Sequence, residues 1–337
     1  MAERVKPFSW TIRNRVQLAV LIITLAIGLQ FYLYVGQIER GGAVRIPRPP
    51  GVEGFLPIGS LMGWKYYFLT GVWDAVHPAG MVLLGFAVAV SLLLRKSFCG
   101  WFCPIGTLSE WLWHLGRGKN GRNLLPPKWI DIPLRGLKYL LLGFFAWAVL
   151  SMDAGSLERF FQLPYWKVSD VKMLYFFTGM SVTTALVLLL LVGGSIFIRN
   201  FWCRYLCPYG ALLGIFGFLG PTRIRRNQST CIDCHLCSKV CPAYLPVDSK
   251  TRIISAECTG CASCVEVCPV RATLELKTAG LPAGFWNSRK LAFVIGGLFL
   301  LLVLAARLTG HWTSTVTVEE IRSILPDIDY LRHTSGF

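Results

Sequence analysis

The stretch CIDCHLCSKVCP, residues 231–242, decides how this chain is read. Its first five residues, Cys231-Ile232-Asp233-Cys234-His235, match C-x-x-C-H, the attachment signature of a c-type haem. The whole stretch matches C-x2-C-x2-C-x3-C-P, the bacterial run that holds iron–sulfur clusters. Three facts favour the second reading. The cysteines continue through Cys237 to Cys241-Pro242. The pattern recurs as CTGCASCVEVCP, with Cys258, Cys261, Cys264 and Cys268-Pro269. The loop also reads as cytoplasmic, whereas c-type haem is attached on the outer side, so no covalent haem is expected. Two structural zinc sites are a rival, but zinc ligands usually come as separated pairs.

In such a run three closely spaced thiolates wrap one corner of a [4Fe–4S] cube, and the distant fourth cysteine ligates the other cluster. The expectation is one cluster on Cys231, Cys234, Cys237 and Cys268, and a second on Cys258, Cys261, Cys264 and Cys241. Gly260, Ala262 and Ser263 are small enough to let backbone N–H groups approach the sulfurs. His235 reads as an exposed neighbour of the first cluster, not a ligand.

Outward from this segment the chain is a membrane protein's. Of 337 residues, 54% are hydrophobic and only 15% charged, which excludes an ordinary soluble domain. Five apolar runs are candidate spans: Val16–Gly36, Pro78–Leu94, Leu137–Met152, Met173–Ile198 and Leu291–Ala306. A span needs about 20 residues, so the third and fifth should borrow flanking ones. Residues 55–73, which include Lys65 and Pro57, read as an interfacial segment with Trp and Tyr at headgroup level. The N-terminal run lacks a small-residue cleavage site just after it and reads as a retained anchor.

The net charge of +16 would suggest nucleic acid in a soluble protein. Here topology explains it. With a cytoplasmic N-terminus, the inside segments 1–15, 95–138 and 199–290 carry 24 basic and 8 acidic residues, and the rest carry 10 of each. No nucleic-acid partner is expected. The reading is a multi-pass protein of the bacterial inner membrane, with N-terminus and ferredoxin segment cytoplasmic and the tail 308–337 periplasmic.

All twelve cysteines fall in four motifs. The other two are CGWFCPIG (99–106) and CRYLCPYG (203–210), a repeat offset by 104 residues. Each follows a pair of spans, so the unit reads as span, outer loop, span, Cys motif, and two units make a four-helix core. Pro104 and Pro208 should each open a new helix. Cys99, Cys103, Cys203 and Cys207, near Arg95, Lys96, Arg199 and Arg204, should then be low-pKa thiolates. If the repeats face one another, the four sulfurs form one site. A third cluster, copper, zinc or redox disulfides all suit such ligands.

Two C-x3-C-P motifs at helix ends followed by two ferredoxin runs resemble the NapH/NosR-type polytopic membrane 4Fe–4S ferredoxins, over roughly residues 16–280. The resemblance implies a membrane electron-transfer protein that takes electrons from quinol or menaquinol and passes them to a reductase, through another ferredoxin or redox subunit of a respiratory complex. It would be an electron-transfer component, or the quinol-oxidising subunit of a larger oxidoreductase. The FixG/CcoG type shares the cysteine motifs but carries a C-terminal Ig-like domain where this chain has a short tail. The flavin domain of the NosR type has no room in the outer loop 37–77, so no covalent flavin is expected. The alternative is an assembly factor that reduces a metal or disulfide during maturation of a respiratory metalloenzyme.

Trp73, Asp74 and His77, in GVWDAVHPAG, are candidates for a quinone site; equally, His77 starts a helix and Trp73 anchors an interface. The expected fold is an α-helical integral membrane protein of about five transmembrane helices in two tandem repeats, with an inserted α+β ferredoxin-like domain. The domains would be 1–220 (membrane core), 221–280 (two-cluster ferredoxin) and 281–337 (fifth helix and tail).

Overall fold

The structure, a computed structural model, describes residues 10–116 and 123–331. The first nine residues of the expected inside segment, residues 117–122 of the second, and the end of the tail from 332 lie outside the described residues.

The chain is mostly helical. In order it forms α1 (Ile12–Glu39), α2 (Pro57–Thr70), α3 (Pro78–Leu94), α4 (Ser97–Trp101), α5 (Pro104–Leu115), α6 (Lys128–Ser151), α7 (Ala154–Gln162), α8 (Pro164–Lys167), α9 (Ser169–Thr178) and α10 (Val182–Phe197). A π-helical turn, Trp202–Leu206, precedes α11 (Pro208–Leu219). Strand β1 (Thr222–Arg226), α12 (Leu236–Lys239), α13 (Ser263–Glu266) and β2 (Leu274–Thr278) follow. Last come α14 (Ser288–Leu308) and α15 (Val318–Ile324).

Among the described residues, α1, α6 and α14 are long and apolar enough to cross a membrane, and α9 with α10 makes a fourth span if the bent pair is counted as one. The borrowing of flanking residues is visible: α6 has 24 residues and α14 has 21, both longer than their apolar cores. Helix α3 keeps its 17 residues and stays at the lower limit. The fourth expected span needs correcting. Instead of one helix over 173–198, the chain bends by 81° between α9 and α10. Gly179 ends the first helix, and the Ser181 hydroxyl accepts the Thr184 N–H at 3.2 Å to start the second.

The chain divides into two compact units, residues 1–22, 88–138 and 192–297, and residues 23–87, 139–191 and 298–337. The second is a helical unit built on three apolar clusters. Phe31, Tyr34, Val35 and Ile38 on one face of α1 pack with Val168, Val171 and Ile321. Met62 and Tyr66 of α2 pack with Leu157, Phe160 and Trp166. Ala79, Ala306 and Trp312 form the third. The apolar segment 55–73 thus buries one face of α2. Its Lys65 has a definite role: the ammonium donates to the carbonyls of Val149 (3.1 Å), Leu150 (2.9 Å) and Met152, satisfying the C-terminal end of α6.

The first unit holds all twelve cysteines. Its sheet is β1 paired antiparallel with β2, Thr222 opposite Thr278 and Arg226 opposite Leu274. This two-stranded ribbon brackets α12 and α13, each a single turn that carries the third cysteine of its motif, Cys237 and Cys264. Residues 221–280 thus hold two short helices and two short strands strung on cysteine loops.

Candidate iron–sulfur sites

The two ferredoxin loops use the same unusual backbone. Asp233 (φ 50°) and His235 (φ 57°) flank Cys234; Gly260 (φ 58°) and Ala262 (φ 59°) flank Cys261. Left-handed residues alternating with ordinary ones turn successive N–H groups inward and form an anion-binding nest, as at many iron–sulfur sites. For Asp, His and Ala this conformation is costly, so it needs a reason. An anionic thiolate-bound cluster supplies one.

The cysteines line two cavities of equal size. Cys231, Cys234, Cys237 and Cys268 face one of about 370 Å³. Cys241, Cys258, Cys261 and Cys264 face another of about 370 Å³. The first has charged neighbours, Arg226, Asp233 and Asp248, and His235 on its rim is exposed and hydrogen-bonded to Asp248 at 2.8 Å. The second is walled by apolar residues, and burial pushes the Cys241 thiol up to about 12.

The C-x3-C-P motifs make a third cavity, lined by Cys99, Cys103, Cys203 and Cys207, of about 730 Å³. Pro104 and Pro208 open α5 and α11 as their ring geometry favours. Cys103 and Cys207 are the two N-caps, their sulfurs accepting the Gly106 N–H at 3.4 Å and the Gly210 N–H at 3.2 Å. The expected low-pKa thiolates are corrected here. Burial outweighs those N–H bonds and the Lys96 charge: Cys103 is pushed up to about 11, and Cys99, Cys203 and Cys207 are raised too. A helix terminus stabilises a thiolate only while water or a fixed positive charge shares the load.

The cations near this cavity are held in different ways. Arg204 donates to Asp131 through Nε and Nη2, both at 2.8 Å, while Tyr205 donates to the same carboxylate at 2.7 Å and Arg135 also binds it. Arg204 reaches the Ala243 carbonyl as well, at 3.0 Å. Arg199 donates to the carbonyls of Lys239 (2.9 Å) and Cys241 (3.3 Å) and stacks on Trp113 and Tyr244. Arg95 donates to Gly217 and Ser255 carbonyls. Arg13 pairs with Glu110, which also accepts from Gln17 at 3.0 Å. Sequence reasoning had Arg95, Arg199 and Arg204 as thiol activators; they are struts that tie the C-x3-C-P motifs to the ferredoxin loops. Asp131 and Glu110 went unseen. The available signal was a carboxylate beside an apolar run, where an ion is retained only with a partner.

Trp73, Asp74 and His77 each have protein partners, and Asp74 interacts with His77. His77 is buried, meeting the Trp166 carbonyl at 2.8 Å, Ser169 Oγ at 3.0 Å and Arg48 at 3.1 Å. Asp74 turns back to the Val76 N–H at 2.8 Å, and Trp73 packs against Trp64, Tyr67 and His311. Arg48 joins His77 to Asp170, at 2.8 Å, and to Glu53, whose Oε2 accepts the Gly80 N–H at the start of α3.

A family model described as a 4Fe-4S binding domain matches residues 76–123 and again 180–227, and a 4Fe-4S dicluster domain matches 223–269. The protein YccM of Escherichia coli (strain K12), named for electron transport, is 44% identical over 333 residues, 96% of this chain and 92% of its own. The chain belongs to the ferredoxin-type membrane proteins of the NapH/NosR kind. Within it, NapH of Haemophilus influenzae, a ferredoxin-type protein, is 29% identical over 172 residues, 49% of this chain and 55% of that one. NosR of Pseudomonas aeruginosa, a regulatory protein, is 32% identical over 173 residues, 45% of this chain and 21% of that one. No solved structure matches. A membrane ferredoxin of this kind carries 4Fe–4S domains and does electron transport.

Proposed function

We propose that this membrane ferredoxin carries single electrons between the quinone pool and a respiratory redox partner, with Cys231, Cys234, Cys237 and Cys268 holding one [4Fe–4S] cluster and Cys241, Cys258, Cys261 and Cys264 the other. Bound clusters would supply one-electron transfer. The chain's own part is to hold the thiolates, wall off water and keep the sites adjacent. The observation that carries this reading is a shared wall: Pro242, Ala243 and Thr259 line both the C-x3-C-P cavity and the second ferredoxin cavity. The sulfurs of Cys237 and Cys264 in turn lie near enough to interact, so the second site neighbours the first. The order is C-x3-C-P site, second ferredoxin site, first ferredoxin site, with exposed His235 and Ile232 at the far end.

Cys99, Cys103, Cys203 and Cys207 would hold a third cluster. All four line one cavity, and the segments that carry them, 76–123 and 180–227, are those matched by the 4Fe-4S binding domain model. The proposed topology is five spans in two repeats, domains at 1–220, 221–280 and 281–337, in the bacterial inner membrane, ferredoxin segment inside and tail outside. A lipid-soluble quinol suits a site whose motifs directly follow apolar helices α3 and α10.

Anaerobic purification in mild detergent, with iron and acid-labile sulfide assayed per chain, tests this. About twelve irons, and bleaching of the cluster absorbance by a menaquinol analogue, are expected. About eight irons, stoichiometric copper and no response to quinol would replace the conduit by the assembly-factor reading. In the same assay His77→Ala is expected to keep quinol bleaching and to lower the thermal midpoint, by about 1–3 kcal/mol of stability, since it strands buried partners. Loss of bleaching with stability intact would instead make His77 part of a quinone site.

A further inference from the structure

Beside the C-x3-C-P cavity two buried lysines, Lys96 and Lys138, share one carboxylate, Glu257. Three basic side chains line the cavity: Arg13, Lys96 and Arg204. Arg13 is paired with Glu110 and Arg204 with Asp131. Lys96 is 4% exposed and acts on Glu257 from outside the ion pair that this carboxylate makes with Lys138. The nearby carboxylate, Glu257, is engaged by Lys138, which donates to both its oxygens at 2.6 Å.

A buried ammonium costs several kcal/mol unless negative charge faces it. The groups that interact with Lys96 are the Cys99 sulfur, then Glu257, then the sulfurs of Cys207 and Cys203. Helix α11 places Lys96 beside a cysteine: a methyl group on Gly210 would stand 3.5 Å from both Lys96 Nζ and Cys207 Sγ, an ordinary contact with each. The repeat breaks at this position. Asn200, 104 residues on, also lines the cavity and brings no charge. The residues that line the second ferredoxin cavity, across the shared wall, are uncharged, and Arg13, Arg199 and Arg223 reach its Cys261, Cys241 and Cys258 from outside that lining.

We infer that Lys96 is a fixed counter-charge of the C-x3-C-P centre, a positioning residue that raises the reduction potential of that centre. The inference rests on the reading of Cys99, Cys103, Cys203 and Cys207 as ligands of a third cluster. A net positive charge beside a cluster stabilises the reduced, more negative form.

The test is a mediated redox titration, followed by electron paramagnetic resonance, of the full chain in detergent with Lys96→Met and Lys96→Arg. Iron is assayed on each sample. In Lys96→Met with iron retained, the centre that Cys99→Ser removes should become at least about tenfold harder to reduce, a fall of 59 mV for one electron. Lys96→Arg should restore most of the shift, and the two ferredoxin centres should move much less. If Lys96→Met loses the third centre's iron while Lys96→Arg keeps it, the charge is required for assembly, and the inference stands. An unmoved potential with full iron content overturns it, as does loss of iron in both variants, which would mark a packing role. Failure of the underlying reading looks different: the unsubstituted chain itself would show only about eight irons and no centre sensitive to Cys99→Ser.

Discussion

Cys203→Ser is expected to lose about four of about twelve irons, to keep both ferredoxin signals under dithionite, and to lose bleaching by a menaquinol analogue. The separation of these effects follows from the walls. Cys203 lines the C-x3-C-P cavity and neither of the other two. The ferredoxin cysteines keep their nests, because Asp233, His235, Gly260 and Ala262 owe their left-handed backbone to their own loops. Serine keeps nearly the shape of cysteine, so the struts from Arg199 and Arg204 should persist. Cys99→Ser should behave alike, since both motifs feed one cavity. Cys231→Ser should instead remove the first ferredoxin site and leave quinol bleaching of the remaining absorbance. If Cys203→Ser keeps all its iron and its quinol response, the C-x3-C-P cysteines are not ligands and the quinol end of the path lies elsewhere.

Much of this was legible in the sequence because cysteine spacing is local chemistry. C-x2-C-x2-C sets three thiols within one loop, and the Pro after the fourth cysteine marks where that loop ends, so the cavity groupings could be read without coordinates. Pro104 and Pro208 were equally readable, since a ring that fixes φ suits the first turn of a helix. Hydropathy found the long helices but not the break at Gly179–Ser181, because a run of apolar residues says nothing about where the backbone bends. The charged residues were the least legible. Arg95, Arg199 and Arg204 sit beside cysteines in sequence, and proximity suggested thiol activation. In three dimensions their guanidinium groups reach carbonyls and a carboxylate more than thirty positions away, while the cation that faces the sulfurs is Lys96. Which partner each of several adjacent cations finds is a tertiary fact, and a single sequence carries almost none of it. The partners of Trp73 and His77 are tertiary in the same way: His311 and the Trp166 carbonyl lie far along the chain.

Asp131→Ala is expected to destabilise the chain by about 3–5 kcal/mol, the largest effect of any single substitution outside the cysteines. The carboxylate is nearly sealed, with 4% of its side chain exposed, and so is its partner Arg204 at 3%. It accepts two bonds from Arg204 and one from Tyr205, with Arg135 alongside. Removing it leaves a guanidinium buried without a counter-charge, and that penalty, not the worth of the pair, dominates the loss. The consequence reaches the cysteines. Arg204 stands between Cys203 and Cys207 and is hydrogen-bonded to the Ala243 carbonyl, two residues beyond Cys241. If Arg204 swings away, the wall shared by the C-x3-C-P and second ferredoxin cavities loses its brace. Asp131→Ala should therefore lose iron from those two sites before the first ferredoxin site. Tyr205→Phe, which removes one hydrogen bond and leaves the ion pair, should cost only about 1.5–3 kcal/mol. Thermal midpoints in detergent, read together with iron per chain, check both. Equal midpoints for the two variants would mean that Arg204 finds water when Asp131 is gone, and that the clamp does not hold the wall.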